Sequence, residues 1–295
     1  MNRNWIDNRV SESLSLLSRH LRTHADATSP MVEQAVSGLS RYTMSGKHLR
    51  ARLVHIAAGR VEGTAREAAT VFGACVDLVH GAFLIHDDFI DRDSTRRGSP
   101  TLHKDFAVKF DNNHLGSSLA LLAGDLGIIS SFQLLSNSQL SDSLVRSAMN
   151  RLAHSSEITV RGEILDIENG NQLDPDPDSI RRANALKTSD YSFACPLHLG
   201  SLAAGRDPRP TVPIARELGA AFQAANDIAG VALDSAVNRA TLASIQTVPQ
   251  VADETRNHIR SAIEHIERAD LPTEVAIGLT EVALWIESIV NRATA

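Results

Sequence analysis

Apolar residues return at every third or fourth position along nearly all of this chain, and that period limits it to helices. "VSESLSLLSRHL", "AREAATVFGACVDLVHGAFLIHDDFID", "SDSLVRSAMNRLAHSSEITVRGEILDIE" and "TRNHIRSAIEHIERA" each gather them on one helical face. No stretch alternates as a half-buried strand must, so no strand is expected. Helices with one apolar face bury it against other helices, which predicts an all-α bundle. A hydrophobic content of 43% over 295 residues is enough for a sizeable core. Segments 71–86 and 115–132 are apolar nearly all round and are expected at its centre.

Gly, Pro, Asn and Asp collect at "SGK" near 46, "RRGSPT" near 98, "NGNQLDPDPDS" at 169–179 and "AGRDPRPT" at 204–211. These are helix connectors, too short for domain linkers, so residues 1–295 are expected to form a single domain. Asp178 or Ser179 is placed to cap the helix that starts "IRRANALK", by accepting from a first-turn N–H. No repeat is present at a period of 20 to 50 residues.

A net charge of -6 gives no electrostatic reason to bind nucleic acid or an anionic membrane. An anionic substrate therefore needs a local basic cluster and metal. The two cysteines, Cys75 and Cys195, sit in apolar contexts without metal-ligand spacing, which fits a reducing cytoplasm better than a disulfide framework. The N-terminus mixes charges through its apolar positions and does not read as a signal peptide. The stretch "LGSSLALLAGDLGIISSF" at 115–132 approaches the length of a bilayer span but contains Asp125, so a buried helix is expected there and no integral membrane segment.

The chemistry gathers at "HDDFIDRDSTRRG", residues 86–98. On a helix Asp87 and Asp91 share a face, with Asp88 one residue round. Carboxylates emerging from so apolar a helix need cations, and hard oxygen ligands suit Mg²⁺, which fills its shell with water and phosphate oxygens. Arg96 and Arg97 follow at once, and "GKHLRAR" places Lys47 and Arg50 after a glycine; guanidinium groups hold phosphates in bidentate fashion. Read alone, each cluster is more readily a set of surface salt bridges than a site, and only together do they point to one.

Taken together, the segments resemble the trans-isoprenyl diphosphate synthase, or polyprenyl synthetase, family from about residue 40 to about 234. "SGKHLRARL" resembles its GKxLRP segment with Ala51 in place of Pro. "DLVHGAFLIHDDFIDRDSTRRGSPTLH" is similar to its first aspartate-rich motif, "LLAGDLGIISSF" to its GD helix, and "LKTSDYSFACPLHLGSLAAG" to its KT segment with Lys187 and Thr188. "RGEILDIE" resembles its GQxxD segment, with Glu163 at the Gln position and no role assigned to it.

The resemblance implies a class I isoprenoid-synthase bundle around a central cavity, and a Mg²⁺-dependent prenyltransferase of farnesyl or geranylgeranyl type, active as a homodimer. It implies that Asp87, Asp88 and Asp91 bind Mg²⁺ on an allylic prenyl diphosphate, helped by Arg96, Lys187, Thr188 and Gln223. Lys47, Arg50, His80 and Arg97 would hold the diphosphate of isopentenyl diphosphate. Departing diphosphate would leave an allylic cation for the second substrate's double bond to attack, in a cavity that excludes water.

"FQAANDIAGVALD", residues 222–234, departs from the family's second acidic motif: Asn226 replaces its first Asp, and no Gly-Lys pair follows. Asp227, Asn226 and Asp234 are the candidate ligands of a second metal cluster, with affinity lowered by the missing charge. Asn226, Gly230 and Asp234 share a helical face and also resemble the second metal motif of class I terpene synthases. A cyclase, a prenyltransferase with an unusual acceptor, and a non-catalytic regulatory subunit therefore stand as alternatives. Elongation is favoured because aromatic residues are only 4% and the residues for a second diphosphate are kept. Phe83, one turn before Asp87 and beside Ala82, is placed to floor the cavity and stop growth at about fifteen to twenty carbons.

Overall fold

In the computed structural model residues 4–25, 29–172, 176–236 and 246–294 are described, with side chains for all of these except residues 4 and 231–236. The chain divides into two compact units, residues 1–55 with 70–145 and residues 56–69 with 146–295. The boundaries fall inside helices α3 (Leu49–Ala58), α4 (Gly63–Ile90) and α7 (Asp142–Gly170) rather than in linkers.

The first unit holds α1 (Asn4–His24), α2 (Pro30–Thr43), most of α3 and α4, α5 (Leu102–Lys109) and α6 (Asn113–Ser136). α6 packs on α5, α2 and α1, and begins where Asn112 Oδ1 accepts from Leu115 N at 3.0 Å. Its close approach needs glycine: a Cβ on Gly127 would stand 2.8 Å from Leu39 and 3.0 Å from Ala82. Leu17, Leu39, Phe72, Leu78 and Ile85 are fully buried.

Two sequence expectations differ here. A hairpin of two-residue strands, β1 (Thr95–Arg96) and β2 (Ser99–Pro100), follows α4, with Thr95 opposite Pro100 and Arg96 opposite Ser99. Arg97 and Gly98 turn it with φ of 52° and 79°, the left-handed pair of a tight hairpin. Strands this short carry no readable alternation. And α6, expected to be covered all round, leaves Leu121, Leu122 and Ile129 between 44% and 57% exposed. By length and composition alone α4 and α6 could each cross a membrane, with apolar windows 78% and 50% buried respectively.

The second unit holds the rest of α7, α8 (Pro177–Asn184), a π-helical stretch Ala185–Ala194, α9 (Cys195–Ala203), a 3₁₀ turn at Arg209–Thr211, α10 (Val212–Ala236), α11 (Val248–Arg268) and α12 (Thr273–Ala293). α10 packs on α11, α12 and the π-helical stretch. Its Phe222 joins Phe193 and Trp285, ring centres 5.5 and 5.8 Å away. α8 is capped by Asp176, which accepts from Asp178 N at 3.3 Å, with Pro177 at the first helical position. Asp178 and Ser179, the expected caps, already lie inside the first turn, because proline starts the helix earlier than the polar pattern alone suggests.

Candidate active site

In the first unit α4 delivers the acids at its C-terminal end. Asp91 N bonds Asp87 O at 2.8 Å, so the last turn continues past Ile90 and keeps Asp87 and Asp91 one turn apart. Both are half-buried, whereas Asp88 is only 1% exposed. Tyr42 of α2 donates its hydroxyl to Asp88 Oδ2, and Arg96 Nε meets Asp88 Oδ1. Arg96 Nη2 also reaches Asp87 at 3.2 Å. Burial raises the Asp88 carboxyl above its usual range, against the opposing pull of Tyr42 and Arg96; burial, then Asp88, raises the Tyr42 phenol. Arg96 rises despite its burial because Asp88 and Asp87 stabilise its charge.

The basic cluster lies in the same unit. Gly46, at φ 114°, lets the Arg97 guanidinium come so near that a Cβ would stand 2.8 Å from Nη2. Arg97 Nη1 donates to Ser45 Oγ at 3.0 Å. His48 takes a left-handed φ of 51°, with Nδ1 2.8 Å from Asp77 Oδ2; Asp77 Oδ1 accepts from Ala51 N at 3.3 Å in the first turn of α3. Asp77, 3% exposed on α4, therefore fixes the loop that carries Lys47 and the first turn of α3, which carries Arg50. His80 is held well below the ordinary imidazole range by burial, then by Arg50, Arg97, Arg96 and His48. A neutral imidazole among these arginines can donate to an anion without adding a charge of its own.

In the second unit the π-helical stretch carries Lys187 and Thr188. Gly162 of α7 lies against it: a Cβ there would stand 2.4 Å from Lys187 N. Lys187 Nζ meets Glu163 at 2.8 Å and Asp166 at 3.0 Å. Thr188 donates to Gln223 Oε1 at 2.8 Å, Gln223 Nε2 donates to Asp227 Oδ1 at 2.8 Å, and Asn184 Nδ2 approaches Asp227 Oδ2 at 3.4 Å. Asp227 is 3% exposed, with both oxygens in this network, whereas Asn226 is exposed. The side chain of Asp234 lies outside the described residues.

Asp87–Asp88 and Asn226–Asp227 thus share a pattern: the second member, Asp88 or Asp227, is buried and bonded within its own unit, and the first, Asp87 or Asn226, is more accessible. Sequence reasoning passed over Tyr42, Asp77, His48, Asp166 and Asn184. Asp166 alone carried a signal, one turn from Glu163 in "RGEILDIE".

The donor set fits Mg²⁺. Among the described residues no three acidic, histidine or cysteine side chains form a cage, and Mg²⁺ needs none, since one or two carboxylates suffice when phosphate and water complete its shell. Asp87 and Asp91 are the accessible hard oxygens for that part.

Residues 33–247 match the sequence model of the family described as Polyprenyl synthetase. The geranylgeranyl diphosphate synthase of Sulfolobus acidocaldarius is 30% identical over 235 residues, covering 78% of this chain and 67% of that protein. The farnesyl diphosphate synthase of Escherichia coli is 32% identical over 240 residues, 77% of this chain and 75% of its own. Among solved structures, the geranylgeranyl pyrophosphate synthase of Corynebacterium glutamicum, complexed with isoprenyl diphosphate and magnesium, superposes with a TM-score of 0.85 at 21% identity, over 96% of this chain and 99% of that one. An FPP/GFPP synthase from Zymomonas mobilis gives 0.78 at 26% identity, over 97% and 100%. With the motifs in order, the all-α fold shared and the family matched along most of its length, this chain belongs to the polyprenyl synthetase family of prenyltransferases.

Proposed function

We propose that the protein is a Mg²⁺-dependent short-chain prenyltransferase that condenses an allylic prenyl diphosphate with isopentenyl diphosphate. The observation that carries this reading is the split arginine pair of the first unit: Arg96 is engaged by Asp87 and Asp88, whereas Arg97 is held against Gly46 and Ser45, beside the loop that carries Lys47. A protein that handled one diphosphate would not need so many positive groups beside an acid pair already served by Arg96.

Asp87 and Asp91 are the residues to hold Mg²⁺, with Asp88 keeping Arg96 in place. When bound there, Mg²⁺ would draw charge from the departing diphosphate. Arg96, Lys187, Thr188 and Gln223 are assigned to the allylic diphosphate; Lys47, Arg50, His80 and Arg97 to that of isopentenyl diphosphate. These residues orient the two substrates and stabilise negative charge as the allylic C–O bond breaks. The isopentenyl double bond then forms the new C–C bond and a proton is lost. Apolar residues preceding the acids on α4, Phe83 among them, keep water from the cation. Asn226 and Asp234 remain candidates for a second metal cluster, weakened by the absent charge, while Asp227 orders Gln223.

A homodimer is supported by the uncovered face of α6, whose Leu121, Leu122 and Ile129 form the kind of apolar patch that a second copy covers. Residues 1–295 as one domain are supported by unit boundaries that fall within helices. A cytoplasmic location suits two buried cysteines, Cys75 and Cys195, that form no disulfide.

The test is to incubate the protein and Mg²⁺ with allylic diphosphates of increasing length, with and without isopentenyl diphosphate, and weigh the products. Longer diphosphates only when both substrates are present support elongation. Hydrocarbons or alcohols from one substrate would replace it with cyclase chemistry, and no turnover would favour a regulatory subunit. EDTA is expected to abolish turnover, and restored Mg²⁺ to return it.

A further inference from the structure

Lys187, assigned above to the allylic diphosphate, does not stand as an open positive charge. Glu163 and Asp166 lie three residues apart on α7, hence on one face, and both reach its ammonium, at 2.8 and 3.0 Å. The approach is fixed by backbone as well as by charge, since Gly162 lets α7 come against Lys187 N at a distance no side chain would allow. The three side chains are 17–25% exposed, enough for a ligand to reach them and little enough for charge to be felt. Two carboxylates against one ammonium leave this corner net negative. A bare diphosphate meets repulsion there; a diphosphate whose charge is already reduced by a divalent cation meets much less. A glutamine at 163 would reach the same ammonium without the charge.

We propose that Glu163 is a positioning residue that makes diphosphate binding at Lys187 conditional on a divalent cation. It holds the ammonium and cancels its pull on metal-free diphosphate, so that the site discriminates between the free and the metal-bound forms of the same anion. The inference rests on the assignment of Lys187 to a diphosphate.

The test measures the affinity of the full-length protein for inorganic pyrophosphate by calorimetry, once in Mg²⁺ and once in EDTA. Wild type, Glu163→Gln, Lys187→Met and the double variant are compared. In EDTA, Glu163→Gln is expected to bind about fivefold more tightly than wild type, the upper end of what a partly exposed ion pair contributes. In Mg²⁺ the two should differ much less, so the ratio between conditions shrinks in Glu163→Gln. The gain should vanish in the double variant. Tighter binding cannot arise from misfolding. Equal affinities in EDTA, including none detectable in either, weaker binding by Glu163→Gln, or a gain that survives loss of Lys187 would each overturn the proposal while leaving the prenyltransferase reading intact. Failure of wild type to bind pyrophosphate even in Mg²⁺ would instead remove the diphosphate assignment, and this inference with it.

Discussion

The hydroxyl of Tyr42 donates to Asp88 Oδ2 at 2.5 Å, joining residues 46 apart in the sequence. The same hydroxyl oxygen accepts from Leu102 N at 3.1 Å, so one phenol ties α2, the end of α4 and the start of α5 together. Tyr42→Phe keeps the ring and removes the link, leaving a buried carboxylate oxygen and a buried N–H without it. A loss of roughly 1–3 kcal/mol in unfolding free energy is expected from denaturant melting. The KM for the allylic diphosphate should rise more than that for isopentenyl diphosphate, because Asp88 also holds Arg96. An unchanged melt and unchanged KM values would show that Asp88 does not depend on Tyr42.

Gly46→Ala places a methyl group against the Arg97 guanidinium at a φ that L-residues avoid. Arg97 must move, and the KM for isopentenyl diphosphate is expected to rise about tenfold, equivalent to ~1.4 kcal/mol, with the allylic KM little altered. Equal rises in both would point to general loosening.

Asn226 is exposed on α10, next to the bonded Asp227. Asn226→Asp adds the carboxylate that a hard cation prefers. In an elongating enzyme the Mg²⁺ concentration for half-maximal rate should fall several-fold; in a cyclase product formation should be damaged instead. Magnesium titrations of the rate distinguish the two.

Phe83 precedes Asp87 by one turn and is half-buried, with Ala82 beside it fully buried. Phe83→Ala is expected to lengthen the product by one or more isoprene units, read by mass spectrometry. An unchanged product spectrum would assign Phe83 to helix packing alone.

His55 is 2% exposed, and burial, then Arg9, brings its pKa down to about 4. Ser13 Oγ donates to Thr70 O and lies 3.0 Å from His55 Nε2, so Nε2 carries the proton of a neutral ring. The folded state therefore refuses a proton that the unfolded chain accepts near its ordinary 6.5. Stability from this group is complete above that value and is lost as pH falls from there toward about 4, on the order of 3 kcal/mol in all. Melting temperatures measured from pH 7 to pH 4.5 should decline less in His55→Gln than in wild type; parallel declines would assign the acid limb elsewhere.

The helices were legible because a three-to-four period survives wherever one face is buried, and α11 shows it through "TRNHIRSAIEHIERA", where Thr255, Ile259, Ala262 and Ile266 are buried. The first acidic motif was legible because Asp87, Asp88 and Asp91 stand close in sequence. Which of them would be enclosed was not, since burial of Asp88 depends on Tyr42 and Arg96 arriving from other elements. A lone tyrosine in "LSRYTMSG" has no spacing that announces a partner 46 residues on. The uncovered side of α6 was hidden for the opposite reason: an all-apolar helix looks the same in sequence whether protein covers every face or only some. The loop anchor Asp77 carried no signal of its own, since its partners His48 and Ala51 come from another part of the chain.

The π-helical stretch at Ala185–Ala194 sets a rule about length rather than identity. Lys187 is aligned with Gly162 on one side, and Ser189 with Gly219 on the other, where a Cβ would stand 2.6 Å from the Ser189 Cβ. In an α-helix each residue added or removed turns the remainder of the helix by about 100°. A one-residue deletion that relaxed this stretch to the narrower form would carry Lys187 off Glu163 and Asp166, or Thr188 off Gln223, even with every side chain retained. Outside Lys187 and Thr188, descendants of this chain are thus free to exchange residues in the segment, but insertions and deletions there are closed to them.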